Sequence, residues 1–130
     1  MKKFFVIFLV LVGVGAYFFF ANKSPLVSYK LEGKTYKLLT AKNNTEWTKG
    51  LMFFKNKSEL NGADGMIFIF PDYDYRSFWN DNTFLNLDVY WILDDEIAGK
   101  SFLPSIEDSK EVVIVESKKK VNKVVEIVRH

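Results

Sequence analysis

The alternation of apolar and polar positions changes period several times along this chain, and each change predicts an element. The first apolar run is unbroken. Phe4–Ala21 is 18 residues without a charge, flanked by Lys2-Lys3 and Lys23. As a helix it would span about 27 Å, close to the hydrocarbon thickness of a bilayer. It reads as an uncleaved signal anchor. The alternative is a cleavable signal peptide, with small residues at Val14-Gly15-Ala16 for a peptidase. The lysine pair holds the N-terminus inside, so both readings place the rest of the chain outside the cytoplasm. The protein is then single-pass in the cell membrane, with residues 4–21 in the bilayer, or it is secreted. Residues 1–23 form this segment and residues 24–130 form one domain.

Beyond the linker Asn22–Pro25 the periods are short. Val27–Leu31 and Thr35–Thr40 read as strands separated by Glu32-Gly33-Lys34, where Gly33 suits a hairpin turn. Asn44 or Thr45 caps a brief helix running through Met52. Gly65–Phe70 is a buried strand stopped by Pro71, and Leu87–Leu93 is a second core strand. Ile97–Leu103 returns as its partner across the turn Asp94-Asp95-Glu96, with Gly99 placed for a bulge. Val112–Val115 and Val124–Val128 supply two more. Seven short strands and one short helix predict a single mainly-β domain, a sandwich or a barrel-like fold.

Composition narrows the chemistry. Cysteine is absent, so disulfides, thiolate nucleophiles, lipoprotein anchoring and thiolate-bound metals are excluded. The single histidine is His130, which excludes ordinary Ser-His-Asp catalysis and multi-histidine metal sites. Of 18 basic residues, 15 remain once Lys2, Lys3 and Lys23 are set aside, against 16 acidic ones. The folded part is nearly neutral and offers no electrostatic case for nucleic acid. Lys118–Lys120 reads as a solvated turn, as does Asp94-Asp95-Glu96, which lacks the spaced ligands of a calcium loop. Neither a metal nor a cofactor is expected.

The blocks Gly50-Leu51-Met52, Gly65-Met66, Phe68, Phe70-Pro71, Arg76, Phe78-Trp79, Asn82-Thr83 and Leu87-Asp88 follow one another in a recognisable order. The pattern resembles the domain-of-unknown-function family 192, whose members are often exported bacterial or archaeal proteins. The resemblance extends from about Tyr36 to Ile127. It implies a compact β-sandwich-like domain and no established activity. The family usually carries Met-Lys where this chain has Asn80-Asp81, so a negative charge replaces a positive one beside the candidate segment.

That segment, Arg76–Thr83, sets a guanidinium, an indole, a carboxylate, a carboxamide and a hydroxyl within eight residues. The candidate ligand-binding residues are Arg76, Trp79, Asp81, Asn82, Thr83 and Asp88. Arg76 clamps an oxyanion or pairs with a nearby Asp. Trp79 is a stacking platform or core. Asn82-Thr83 is a contact or a self-bonded turn. Asp88 interrupts an apolar strand and is expected to lie near Asn82 and Thr83, holding the loop in place. Gly50, Met52 and Gly65-Met66 are read as packing and turn residues. No nucleophile-base pair is visible and no catalytic residue is named. The favoured function is a noncatalytic binding module for a small polar ligand, a sugar or a peptide. The alternatives are a hydrolase using carboxylates such as Asp81 and Asp88, or a purely structural envelope protein.

If the first segment is an anchor, the full chain fractionates with membranes and its domain is digested by protease added to intact spheroplasts. Protection of the domain would reverse the orientation, and a mature N-terminus at Tyr17 would establish cleavage.

Overall fold

The computed structural model describes residues 25–130. The expected membrane segment, Phe4–Ala21, lies outside the described residues. Strand β1 (Val27–Leu31) turns at Glu32-Gly33 into β2 (Lys34–Ala41). Both turn residues have positive φ, 52° and 81°, the mirror-image turn whose twist matches a hairpin. The Asn43 side chain accepts from the Glu46 N–H and opens helix α1 (Asn44–Lys49). A 3₁₀ turn (Lys57–Leu60) leads to β3 (Gly65–Asp74) and β4 (Ser77–Trp79). Then come β5 (Leu87–Leu93), β6 (Glu96–Leu103), α2 (Ile106–Ser109), β7 (Ile114–Glu116) and β8 (Val121–Val128).

The fold is mainly β, with a mixed sheet and a few short helices. Six strands pair in the order β1-β2-β3-β8-β5-β6, and β4 with β7 forms a two-stranded sheet. Among the described strands only β2 and β3 run parallel. A parallel pair cannot be joined by a tight turn. The segment from Lys42 to Asp64, with α1 and the 3₁₀ turn, makes the crossover.

Strand alternation sorts the apolar side chains onto two faces. Ala41, Phe68, Leu87, Val89, Trp91, Val124 and Val128 pack on one face, with Leu51, Leu60 and Ala63 of the crossover. Leu31, Leu38, Ile67, Tyr90, Ile92, Val125 and Ile127 pack on the other. The Tyr29 hydroxyl donates to Asp95 across 3.1 Å. β1 and the β5–β6 turn stand at opposite ends of the strand order, so the sheet curls around this second cluster. Burial, then the Asp95 carboxylate, pushes the Tyr29 hydroxyl up to about 12, and it stays a donor.

Three elements depart from the sequence reading. β3 does not stop at Pro71 but continues to Asp74, and its register with β8 shifts between Ile69 and Asp74. Proline is tolerated there because the irregular stretch asks for no ladder N–H. Ser77–Trp79, read as part of a polar loop, is a strand, too short to show alternation and defined by its pairing with β7. The helix ends at Lys49 rather than Met52, because the backbone of Gly50 leaves the helical region at φ 47° and ψ −128°.

One contact fixes the sheet's centre. A Cβ on Gly65 would lie 1.8 Å from the Glu126 carbonyl oxygen of β8. No side chain fits between β3 and β8 at that point. Gly65→Ala is expected to destabilise the domain by about 3 kcal/mol or more, because the backbone itself must move. Urea unfolding measures this, and a midpoint within error of wild type would refute the close approach.

Candidate functional site

The most unusual side chain in the fold is Glu126. It stands in β8 opposite Met66 of β3 and Val89 of β5. Alternation turns it toward the crossover, on the face of Val124 and Val128. The residue is 4% exposed. Burial alone drives its pKa up to about 8, with no hydrogen bond or ion pair contributing. A charged carboxylate without partners is too costly to bury, so the group holds its proton at neutral pH.

Its carboxyl borders a cleft with a cavity volume of about 50 Å³. Gly50-Leu51-Met52 forms one wall just past α1, and Phe68 of β3 and Phe78 of β4 form the back. Thr83 and Trp79 complete the lining, with Thr48 and Lys49 on the helix side. The Phe78 ring stands edge-on to Phe68 at 4.8 Å and to Trp91 at 5.8 Å. That packing fixes β4, so the next residue, Trp79, points outward and is 51% exposed. A Cβ on Gly50 would come within 3.2 Å of the Phe68 ring and 3.9 Å of Glu126 Oε1. Glycine there lets the turn backbone close over the acid.

The expected site residues divide between this cleft and other places. Thr83 lines it; its hydroxyl donates to the Asp81 carbonyl at 3.2 Å. Trp79 stands at its mouth. Asn82 adopts a left-handed φ of 53°, and its carbonyl accepts from the N–H of Phe53. Phe53 is itself at φ 72° and 58% exposed, so two strained residues are tied together at the rim. Asp81 is half-buried in the same loop, outside the lining.

Arg76 and Asp88 are not part of this constellation. Arg76 donates from Nε to the Val121 carbonyl and from Nη2 to both the carbonyl and the carboxylate of Asp72. Its guanidinium lies 3.9 Å from the centre of the Phe70 ring. It is a brace between β3 and β8, because Asp72 is within one turn of chain and captures the fork. Asp88 is not near Asn82 and Thr83. Alternation in β5 turns it to the opposite face of the sheet, where it pairs with Arg129 at 3.5 Å. It borders a separate depression with Lys34, Tyr36 and Asp64.

Asn80 explains one departure from the expected family pattern. It is fully buried. Its Nδ2 donates to the Pro104 carbonyl and to Ser109 Oγ, and its Oδ1 accepts from the Val113 N–H. The carboxamide ties β4 to the segments on either side of α2, a task for which methionine has no donors.

The cleft therefore gathers residues from the separated blocks Gly50-Leu51-Met52, Phe68, Phe78-Trp79 and Thr83. The profile of the domain of unknown function 192 family (DUF192, "Uncharacterized ACR") matches residues 27–130. The chain belongs to this family. Two solved structures share the DUF192 chain's fold. One is a Sinorhizobium meliloti 1021 protein provisionally described as a transcription regulator, 24% identical over 79% of this chain and 78% of that one, with a TM-score of 0.59. The other is a protein of unknown function from Novosphingobium aromaticivorans DSM 12444, 24% identical over 80% of this chain and 71% of that one, with a TM-score of 0.62. No curated protein matches the chain.

No motif in the sequence marks Glu126 as a candidate site residue. The signal was present: one acid inside the apolar run Val124–Val128. Its consequence for stability has a definite sign. The folded pKa, about 8, lies above the ordinary 4.5. Between those values the native state holds a proton that the unfolded chain releases, so stability falls as pH rises through that window and levels off above it. Asp64, held low first by the Lys37 N–H, acts only below the usual Asp range. Urea unfolding at several pH values from about 5 to about 8 is expected to show this fall in wild type and its absence in Glu126→Gln. At the upper end the variant is the more stable protein. Parallel profiles for the two proteins would place the proton elsewhere.

Proposed function

We propose that this DUF192 protein is a noncatalytic binding module, held at the membrane or exported by its Phe4–Ala21 segment, and that the Glu126 cleft receives the polar head of a small ligand. One observation carries this reading. A carboxyl on a buried residue has no hydrogen-bond or ion-pair partner among the described residues and borders a cleft whose mouth is marked by an exposed indole. A group that only stabilised the fold would be paired, since each unpaired buried polar group costs about 1–3 kcal/mol.

Size restricts what enters. A cavity of about 50 Å³ holds roughly four waters, given about 10–15 Å³ for each. That is room for a small functional group and not for a sugar ring, which would have to rest outside against Trp79. Glu126 is the one carboxyl among the lining residues, and Asp81 and Asp88 are not brought together. Two-carboxylate hydrolysis therefore has less support than binding.

Two substitutions separate a surface from a brace. Trp79→Ala is expected to weaken binding of the best member of a screen of organic acids, amines, amides, monosaccharides and dipeptides by about tenfold, with an unfolding midpoint near wild type. Arg76→Ala is expected to leave that binding intact and to destabilise the domain by about 1–3 kcal/mol, through the bonds it makes across β3 and β8. Titration calorimetry and urea unfolding read the two effects. If no member of the screen binds wild type, the binding reading falls.

A further inference from the structure

Resting on that reading, we infer that the Glu126 cleft takes the carboxylate of a small organic acid with an apolar body, and takes it only while Glu126 carries its proton. The neutral acid offers one O–H donor. Its strongest complement is an anionic oxygen, because hydrogen bonds with one ionised partner are roughly twice as strong as neutral ones. A carboxylate head, three heavy atoms, fits the cavity. An ammonium head would have to ionise Glu126 and bury the resulting pair, taking two charges out of water instead of one.

The surroundings favour the same head. The elements packed against Glu126 face it mostly with uncharged groups. β3 contributes Phe68, β4 contributes Phe78 and Trp79, the turn after α1 contributes Leu51 and Met52, the following loop contributes Thr83, and β5 sets Val89 opposite. Lys49 of α1 is the only other ionisable side chain in the lining, and it is cationic. Asp81 belongs to the Thr83 loop and does not reach the lining. A proton lost from Glu126 would thus set two negative groups face to face, with Lys49 as the one cation among the described lining residues.

The apolar body has a place to lie. A shallow depression of about 420 Å³ shares Thr48, Lys49 and Met52 with the cleft and extends over the exposed Phe53. Phe53 is held there at its left-handed φ by the Asn82 carbonyl. A chain of a few methylenes leaving the cleft past Met52 meets this depression.

The test uses the full chain in lipid nanodiscs, with empty nanodiscs as blank, and titration calorimetry with propanoate, butanoate, hexanoate, hexanamide and hexylammonium. Hexanoate is expected to bind most tightly, with roughly fourfold gained per added methylene. Its affinity is expected to be nearly constant from about pH 6 to the Glu126 transition and then to fall about tenfold per pH unit, with about one proton taken up on binding. Glu126→Gln, which keeps a donor and does not titrate, is expected to bind hexanoate more weakly with no pH dependence in that range. Tighter binding of hexylammonium than of hexanoate would overturn the inference, as would a wild-type hexanoate affinity unchanged between about pH 7 and about pH 10. In either case Trp79-dependent binding of another compound leaves the binding module standing; only silence across the whole screen removes both.

Discussion

The close approach of β3 and β8 at Gly65 is the constraint on which the rest of the structure depends. With no Cβ between them, the backbone of Gly65 meets the backbone of Glu126. This sets the register of the central pair, and register decides which face every side chain of β8 occupies. A slip by one residue would send Glu126 into the inner cluster with Ile67 and Ile92, and send Val125 to the cleft. Gly50 performs the matching task from above, letting a turn close over Phe68 and the acid. Two glycines thus determine the surroundings of one carboxyl.

Much of the fold was legible from the chain. Hairpin turns announced themselves at Glu32-Gly33 and Asp94-Asp95, and the apolar runs of β3 and β5 marked the centre of the sheet. What escaped were features set by partners distant in sequence. β4 exists only because β7 pairs with it. The parallel crossover from β2 to β3 leaves no local mark. Asp88 was read by its neighbours in sequence, whereas strand alternation sends it to the face opposite Thr83. Arg76 has the chemistry of a clamp, and what it holds in the fold is Asp72 and the Val121 carbonyl. Glu126 drew no notice because a single acid in an apolar strand has no motif around it. Only folding brings Gly50, Phe68, Phe78 and Thr83 to its side.

The arrangement forgoes stability at several positions around the cleft. A glutamine at position 126 would bury at lower cost above the ordinary Glu range, and a glycine-free turn would lose less backbone entropy. Phe53 and Asn82 hold left-handed conformations at the rim. The costs gather around one cleft, while the opposite face of the sheet is closed with aliphatic side chains and three tyrosines. Asn80 offsets some of the expense: its three side-chain bonds hold β4 and the α2 region in place, and β4 carries Phe78 and Trp79.

The place of β8 in the sheet bears on how the domain is made. It lies between β3 and β5, both of which precede it in the chain, and it is the strand that joins β1-β2-β3 to β5-β6. Until residues 121–128 emerge, a growing chain has two separate hairpin-like halves and no central strand to unite them. Glu126 and its cleft cannot exist in that state. Completion of the sheet is therefore deferred until almost the whole described domain has been synthesised, and pairings so far apart in sequence form slowly. A chain that stays open for so long is one that can be threaded through a narrow channel before it folds.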